Sequence, residues 1–272
     1  MRNSRLGRTL VGSVLVLGML AGCGTGGGDR DGEGGGEGTP APTPSEGSAG
    51  PARSPVRGKV IVVDPGHNGG NADHPDQINK PVSIGNGRKA CDTTGTVTSD
   101  GFREHAFTWD LANRLAKVLR DKGAEVRLTR ENDRGVGPCI TERAATGGRV
   151  GADAAVSVHG DGGPASGRGF HVIVPLPVGG NTSIVDDSVR LGKAMRAAYR
   201  SGTGLPYSTY IGEDGLDQRD DLGGLNLAKV PTAFVECGNM NNEQDAAKMS
   251  DPSFRQRMAN ALAQGFETYF SE

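Results

Sequence analysis

Past its first few residues this 272-residue chain carries no block of basic side chains, and its formal net charge is only −2. The electrostatic footprint that nucleic acid requires is therefore missing. Acidic and basic residues are interspersed, as on an ordinary solvated surface. A membrane-spanning apolar run is also lacking, since the segment Leu10 to Ala21 is too short to cross a bilayer as a mature helix. No internal repeat is visible. Histidine is scarce, with five in the whole chain, and so is cysteine, with four. Such scarcity makes the position of each one informative.

What the amino terminus does contain reads as an export signal. Arg2, Arg5 and Arg8 precede the apolar segment, the layout of a secretory signal peptide over residues 1–22. It closes on Leu20-Ala21-Gly22-Cys23, which resembles the bacterial lipobox, where cleavage before the cysteine is coupled to its diacylation. Cys23 is thus the expected lipidation site. It would tether the protein to the outer face of the plasma membrane, its only link to the membrane. The plain alternative is an ordinary signal peptide with an incidental cysteine. Residues 23–57 are Gly, Pro, Ser, Thr, Asp and Glu with almost no apolar side chain, which predicts a disordered linker. Residues 58–272 are ample for one α/β domain with a single core.

An exported domain meets an oxidising compartment, so Cys91 and Cys139, both in polar loop-like stretches, are natural disulfide partners. Sequence alone leaves three pairings open. Cys237 lies in an apolar run and is expected as a buried free thiol.

Three apolar runs end in a way that suggests chemistry. Val60-Ile61-Val62-Val63-Asp64 stops at Pro65-Gly66 and delivers His67 into a glycine-rich loop, whose glycines are expected to leave room there. Ala154 to Val158 hands over His159, and Thr232 to Val235 hands over Glu236, each just as the chain is expected to turn. Between the first two, the polar stretch Asn68 to Gly101 is too long for a plain connector and is read as a functional loop over the site. Helices are predicted over Arg103–Lys122, around Ile140–Val150, over Ser183–Tyr199 with Thr182 or Ser183 as cap, and near Asn242–Met249 and Ser253–Phe270. Further strands are predicted at Ala124–Thr129, Phe170–Val174 and within Asp221–Val230. The alternation predicts an α/β fold, a mostly parallel central sheet flanked by helices on both faces, in a single catalytic domain.

A hydrolytic zinc site takes three nitrogen or carboxylate ligands and leaves one position for water. His67 and His159, in equivalent settings, form the natural pair. The helix that follows offers Glu104 and His105 side by side. Glu104 lies three residues before Phe107 and seven before Leu111, on the stripe that faces the sheet, whereas His105 falls a quarter turn away. A carboxylate on a buried stripe needs a partner, and a cation supplies one. Glu104 is therefore favoured, with a role at the helix dipole as the bland alternative. Glu236, at the end of a very apolar strand, reads as general base or else as half of a buried ion pair with Arg143 or Arg130. A cysteine-protease reading of Cys237 with His159 lacks an orienting group.

Val63-Asp64-Pro65-Gly66-His67-Asn68-Gly69, the glutamate opening the next helix, Ser157-Val158-His159-Gly160-Asp161 and Val235-Glu236-Cys237-Gly238-Asn239 together resemble the zinc-dependent N-acetylmuramoyl-L-alanine amidases of the Amidase_3 type. The likeness runs from about Gly58 to Phe270. Leu128-Thr129-Arg130 and Glu142-Arg143-Ala144-Ala145 fit as scaffold. The resemblance implies one Zn2+ held by His67, Glu104 and His159, with Glu236 as catalytic carboxylate, in a monomeric enzyme of the cell envelope. It would cut the amide between N-acetylmuramic acid and L-alanine in peptidoglycan. Two departures stand out. Cys91 sits in the long loop, where a bridge to Cys139 would pin it near the metal. His159 is followed by Gly-Asp-Gly, where relatives often have Ala or Ser and then Asn. No long helical insert of the kind that blocks division-regulated relatives lies between His159 and Glu236, and no cell-wall-binding repeat is seen. The rival readings are a peptidoglycan-binding protein without catalysis and a zinc peptidase acting within the stem peptide.

Overall fold

Alternating β-branched and small residues build the centre of the molecule, and long amphipathic stripes cover it. The computed structural model describes residues 53–272; the expected signal peptide, Cys23 and nearly all of the expected linker lie outside the described residues. In chain order the strands are β1 (Val60–Pro65), β2 (Pro81–Ser83), β3 (Arg88–Ala90), β4 (Glu125–Leu128), β5 (Ala154–Asp161), β6 (His171–Pro175), β7 (Leu216–Arg219) and β8 (Thr232–Asn239). The helices are α1 (Pro75–Ile78), α2 (Glu104–Asp121), α3 (Ile140–Arg149), α4 (Val185–Thr203), α5 (Gly223–Asn226), α6 (Glu243–Ser250) and α7 (Pro252–Ser271). Six strands form one sheet in the order β4-β1-β5-β8-β6-β7, and β2 and β3 make a separate hairpin. Only the contact between β6 and β8 is antiparallel, so the sheet is mostly parallel with helices on both faces, as the alternation predicts.

The two faces are unequal. On one, Ile61, Val63, Val156, Val158, Val172 and Val235 meet α2, α4 and α7 in one continuous core. Phe107, Leu111 and Leu115 recur at helical spacing on α2 and are fully buried. Each such side chain contributes roughly 1.5–3 kcal/mol through burial. Val56, within the stretch expected as linker, joins this core, and the Ser54 hydroxyl donates to Glu267 at 2.7 Å. On the other face only Val62, Ala152 and Ala155 form an apolar cluster, beneath α3 and α5.

Several boundaries differ from the sequence reading. β5 and β8 run past the expected turns, so His159 and Glu236 lie inside their strands and face each other as register partners. Main-chain pairing continues there because the neighbouring strand continues too. The stretch 221–230 forms no strand; the half-buried edge strand β7 precedes it, and Gly223–Asn226 coils into α5. The stretch 68–101 is no open loop. It holds a 3-10 turn at Asn71–Asp73, α1 and the β2–β3 hairpin. The Cys91–Cys139 disulfide ties it to the residue preceding α3, with Cα atoms 4.6 Å apart. Thr182 lies in a second 3-10 turn, and α4 starts at Val185 without a side-chain cap. Asn242 and Asp251 do cap α6 and α7. Cys237 is a buried free thiol. Among the described residues, no helix is long and apolar enough to cross a membrane.

Candidate active site

Strand parity decides what the thin face presents. The residues opposite the thick core are Asp64 on β1, Ser157 and His159 on β5, Phe234 and Glu236 on β8, and Ile173 on β6. All of these but Ser157 line a cleft of about 490 Å³, whose rim is completed by His67, Glu104 and the β3 side of the hairpin.

Three donors converge at one end. Glu104 Oε1 lies 3.0 Å from His67 Nε2 and 3.1 Å from His159 Nδ1. The three ligand atoms all lie within 4.8 Å of one another. Both carboxylate oxygens are also anchored, Oε1 by the Gly160 amide at 3.0 Å and Oε2 by the Thr96 amide at 2.8 Å. The outward nitrogens of the two rings are engaged as well. His67 Nδ1 can donate to the Thr93 carbonyl at 3.1 Å, and His159 Nε2 to the Ser157 hydroxyl at 3.1 Å. These tautomers aim the remaining lone pairs at the shared centre, as an outer layer does for a metal-binding imidazole. Two imidazoles and one carboxylate are a donor set that suits zinc.

The backbone is bent to bring these groups together. His67 has a left-handed φ of 60°, uncommon for a residue with a Cβ. Room comes from other glycines than those the sequence suggests. A Cβ on Gly66 would lie 2.1 Å from the His159 ring, and one on Gly95 would meet Glu104 Oε2 at 2.8 Å. Gly69 and Gly70 instead let the chain pass against the backbone of Asp133 and Gly135.

His105 points elsewhere, to Asp133 at 2.8 Å. Beneath the site Arg143 donates to Asp64 at 2.8 Å, to Asp92 at 3.2 Å and to the His67 carbonyl at 2.8 Å. Arg130 donates to the carbonyls of Pro65 and His105 and to Asp133. Neither arginine pairs with Glu236, so the ion-pair alternative is not realised. Glu236 makes no side-chain hydrogen bond among the described residues, and its Oε2 is buried without a partner.

Electrostatics follow from this wiring. Burial opposes charge on His67, but the charges and hydrogen bonds of Glu104 and Asp92 together outweigh it and raise the ring to about 10 in the absence of metal. Burial likewise disfavours the Glu104 anion, yet the two histidines hold it well below the usual carboxylate range. Glu236 goes the other way. Burial, then the charges of Glu104 and Asp161, push it well above that range. A carboxyl perturbed by desolvation beside a cluster of ligand-type groups marks a functional site.

Sequence reasoning missed a second layer. Ser157 Oγ donates to Asp64 Oδ2 at 2.6 Å, which links that carboxylate to His159 through one hydroxyl. The signal was a lone serine inside the run Ala154 to Val158. It also missed the far wall, where Lys89 Nζ lies 3.1 Å from Asp221 and Arg219 grips the same carboxylate at 2.8 Å. No sequence pattern brings those three together.

Comparison with known proteins finds the family that the motifs resemble. Residues 61–268 match the family model Amidase_3, N-acetylmuramoyl-L-alanine amidase. An N-acetylmuramoyl-L-alanine amidase of Mycobacterium tuberculosis is 44% identical over 222 residues, covering 81% of this chain and 89% of the relative. The crystal structure of the N-acetylmuramyl-L-alanine amidase of Mycobacterium smegmatis superposes with a TM-score of 0.75 at 42% identity, covering 79% of this chain and 98% of that one. The apo form of the Mycobacterium abscessus enzyme gives 0.74 at 42% identity, with 79% and 99% covered. The fold, the order of the motifs and these likenesses agree: the chain belongs to the N-acetylmuramoyl-L-alanine amidase family, Amidase_3 type.

Proposed function

We propose that this amidase works with one zinc ion held by His67, Glu104 and His159, and with Glu236 as its proton carrier. The observation that carries the reading is the convergence of three anchored donors beside a partnerless buried carboxyl in the same cleft. When bound, zinc would polarise the amide carbonyl, acidify the attacking water and favour the carboxylate form of Glu236. Glu236 takes a proton from that water as its oxygen bonds to the lactyl carbonyl carbon. It then gives the proton to the nitrogen as the C–N bond breaks, leaving the free amine of L-alanine and a lactyl carboxylic acid that loses its remaining proton to solvent. Phe234, stacked on the His159 ring at 5.4 Å, shields the imidazole from water on one side. Arg143 holds β1, the His67 carbonyl and Asp92 in place beneath the site.

We further place the enzyme in the cell envelope, as a monomer anchored through Cys23. The Leu20-Ala21-Gly22-Cys23 pattern supports the anchor, and the cell-wall substrate of the family supports the envelope.

The test is muramoyl-peptide incubated with the zinc-loaded protein and with Glu236→Ala. The wild type should release free L-alanine amino termini, while Glu236→Ala should keep the zinc and lose about 10²–10⁴-fold in turnover. Cleavage at other bonds of the stem would make the enzyme a peptidase, and binding without products would make it a recognition protein. Zinc loss in Glu236→Ala would move that residue among the ligands.

A further inference from the structure

Glu236 stands in a row that crosses three strands. Its parallel register partner on β5 is His159, and its antiparallel partner on β6 is His171. The alternation that puts Ile173 and Phe234 together in the cleft wall puts His171 on the same face as Glu236. Residues directly opposite in an antiparallel pair have Cβ atoms about 5 Å apart, so the two side chains rise from neighbouring points on this face. His171 is 2% exposed and lies outside the cluster formed by His67, Glu104 and His159.

Both members of the pair carry an orphaned atom. His171 Nδ1 and Glu236 Oε2 are each buried with no hydrogen-bond partner among the described residues. Native structures leave few such atoms, and these two sit on facing residues of adjacent strands without a hydrogen bond between them. Hydrogen bonds of catalytic groups are often long or poorly aligned before substrate fills a site. Of the other groups around His171, Asp161 and Arg219 are already engaged, by Tyr210 and Asp221, while Asp217 makes no side-chain hydrogen bond among the described residues. Tyr210 meets its ring edge-on at 6.4 Å between centroids, and the Tyr210 hydroxyl donates to Asp161 at 2.7 Å. Asp161, Asp217 and Arg219 supply the surrounding charge. Burial keeps the imidazole below the usual histidine range, so it is neutral and has one N–H to give.

We propose that His171 is the positioning residue of Glu236, its Nδ1–H donating to Oε2 once substrate occupies the cleft, so that the other carboxyl oxygen is held toward the reacting water. The inference rests on the reading of Glu236 as proton carrier, and one experiment separates the two. Full-length zinc-loaded protein is compared as wild type, His171→Leu, His171→Asn and Glu236→Ala, with turnover kinetics on muramoyl-peptide, zinc stoichiometry and thermal melts. His171→Leu should lower kcat roughly 10- to 100-fold at unchanged KM, with full zinc content and an unshifted melt. His171→Asn, whose amide can donate from nearly the same place, should recover most of that loss. A His171→Leu protein within twofold of wild-type kcat overturns the proposal. So does a loss shared equally by the Leu and Asn variants that tracks the folded or zinc-loaded fraction, because that is scaffold behaviour. Full turnover by Glu236→Ala would defeat the proton-carrier reading itself, whatever the His171 variants do.

Discussion

The two faces of one sheet divide the labour of this molecule. The face under α2, α4 and α7 is a closed apolar layer in which almost every strand residue has an aliphatic or aromatic neighbour. The opposite face, at the same strands and often one residue away, holds Asp64, Ser157, His159, Glu236 and His171 over a much smaller apolar patch. Period-two alternation is what permits this, since each strand can be generic on one side and chemical on the other. The thick face lets the thin one carry buried charges and orphaned polar atoms that would be costly in a less stable frame.

The sharpest way to test that division is to damage the thick face alone. Phe107 is fully buried in the main core, on the helix that begins with Glu104. Phe107→Ala should cost about 3–5 kcal/mol of stability, read from denaturant unfolding of the metal-free protein. Turnover per folded molecule should stay near wild type. A large drop in kcat without unfolding would show that the core sets the geometry of the site, and the division would fail.

Acid should damage the thin face first. Burial opposes ionisation of Asp64, but the Arg143 charge and hydrogen bonds from Ser157, Thr129 and Arg143 together outweigh it and bring the carboxyl to about 2 from 3.8. A carboxylate depressed in the folded state adds stability that is fully present above its unfolded value and is lost as pH falls through the folded one. The window is therefore about pH 4 down to 2. At about 1.4 kcal/mol per unit, the stake is roughly 2 kcal/mol. Unfolding free energy measured across that window should fall for wild type and fall less steeply for Asp64→Asn. Parallel curves would mean that the Asp64–Arg143 contact contributes nothing net.

The thick face was largely legible in the sequence, because burial imposes periods that a single chain displays. The stripe Phe107, Leu111 and Leu115, the strand runs and the mostly parallel sheet all follow from such periods. The thin face was legible only where chemistry marks a residue type at a strand end. His67, Glu104, His159 and Glu236 stood out, and the structure gathers them in one cleft. His171 did not, since it opens an apolar strand, and only the register of β6 against β8 sets it beside Glu236. The hairpin residues Arg88 to Ala90 and the edge strand Leu216 to Arg219 were missed for a related reason. Short, half-exposed strands need not alternate, and their pairing is settled by partners far away in sequence.

The smallest effect sharpens the comparison most, because it separates the layer behind the candidate ligands from the frame. Ser157 is a single hydroxyl between two charged systems, accepting from His159 Nε2 and donating to Asp64 Oδ2. Asp64 keeps Thr129 and Arg143 if that hydroxyl is removed, so Ser157→Ala should lower the unfolding free energy of the metal-free protein by no more than about 1 kcal/mol. His159 keeps nothing on its outer nitrogen, and its ring loses the contact that fixes tautomer and tilt. Outer partners of metal-binding histidines are typically worth 10- to 100-fold in affinity, and a neutral hydroxyl belongs at the lower end, about tenfold. Zinc affinity measured by competition with a chelator should drop by that factor, with near-normal turnover at saturating zinc. Unchanged affinity would place Ser157 with the scaffold and leave Glu104 and the two rings to hold the metal unaided. A drop in affinity together with a larger loss of stability would mean that the two faces are coupled through β5, the strand that serves both.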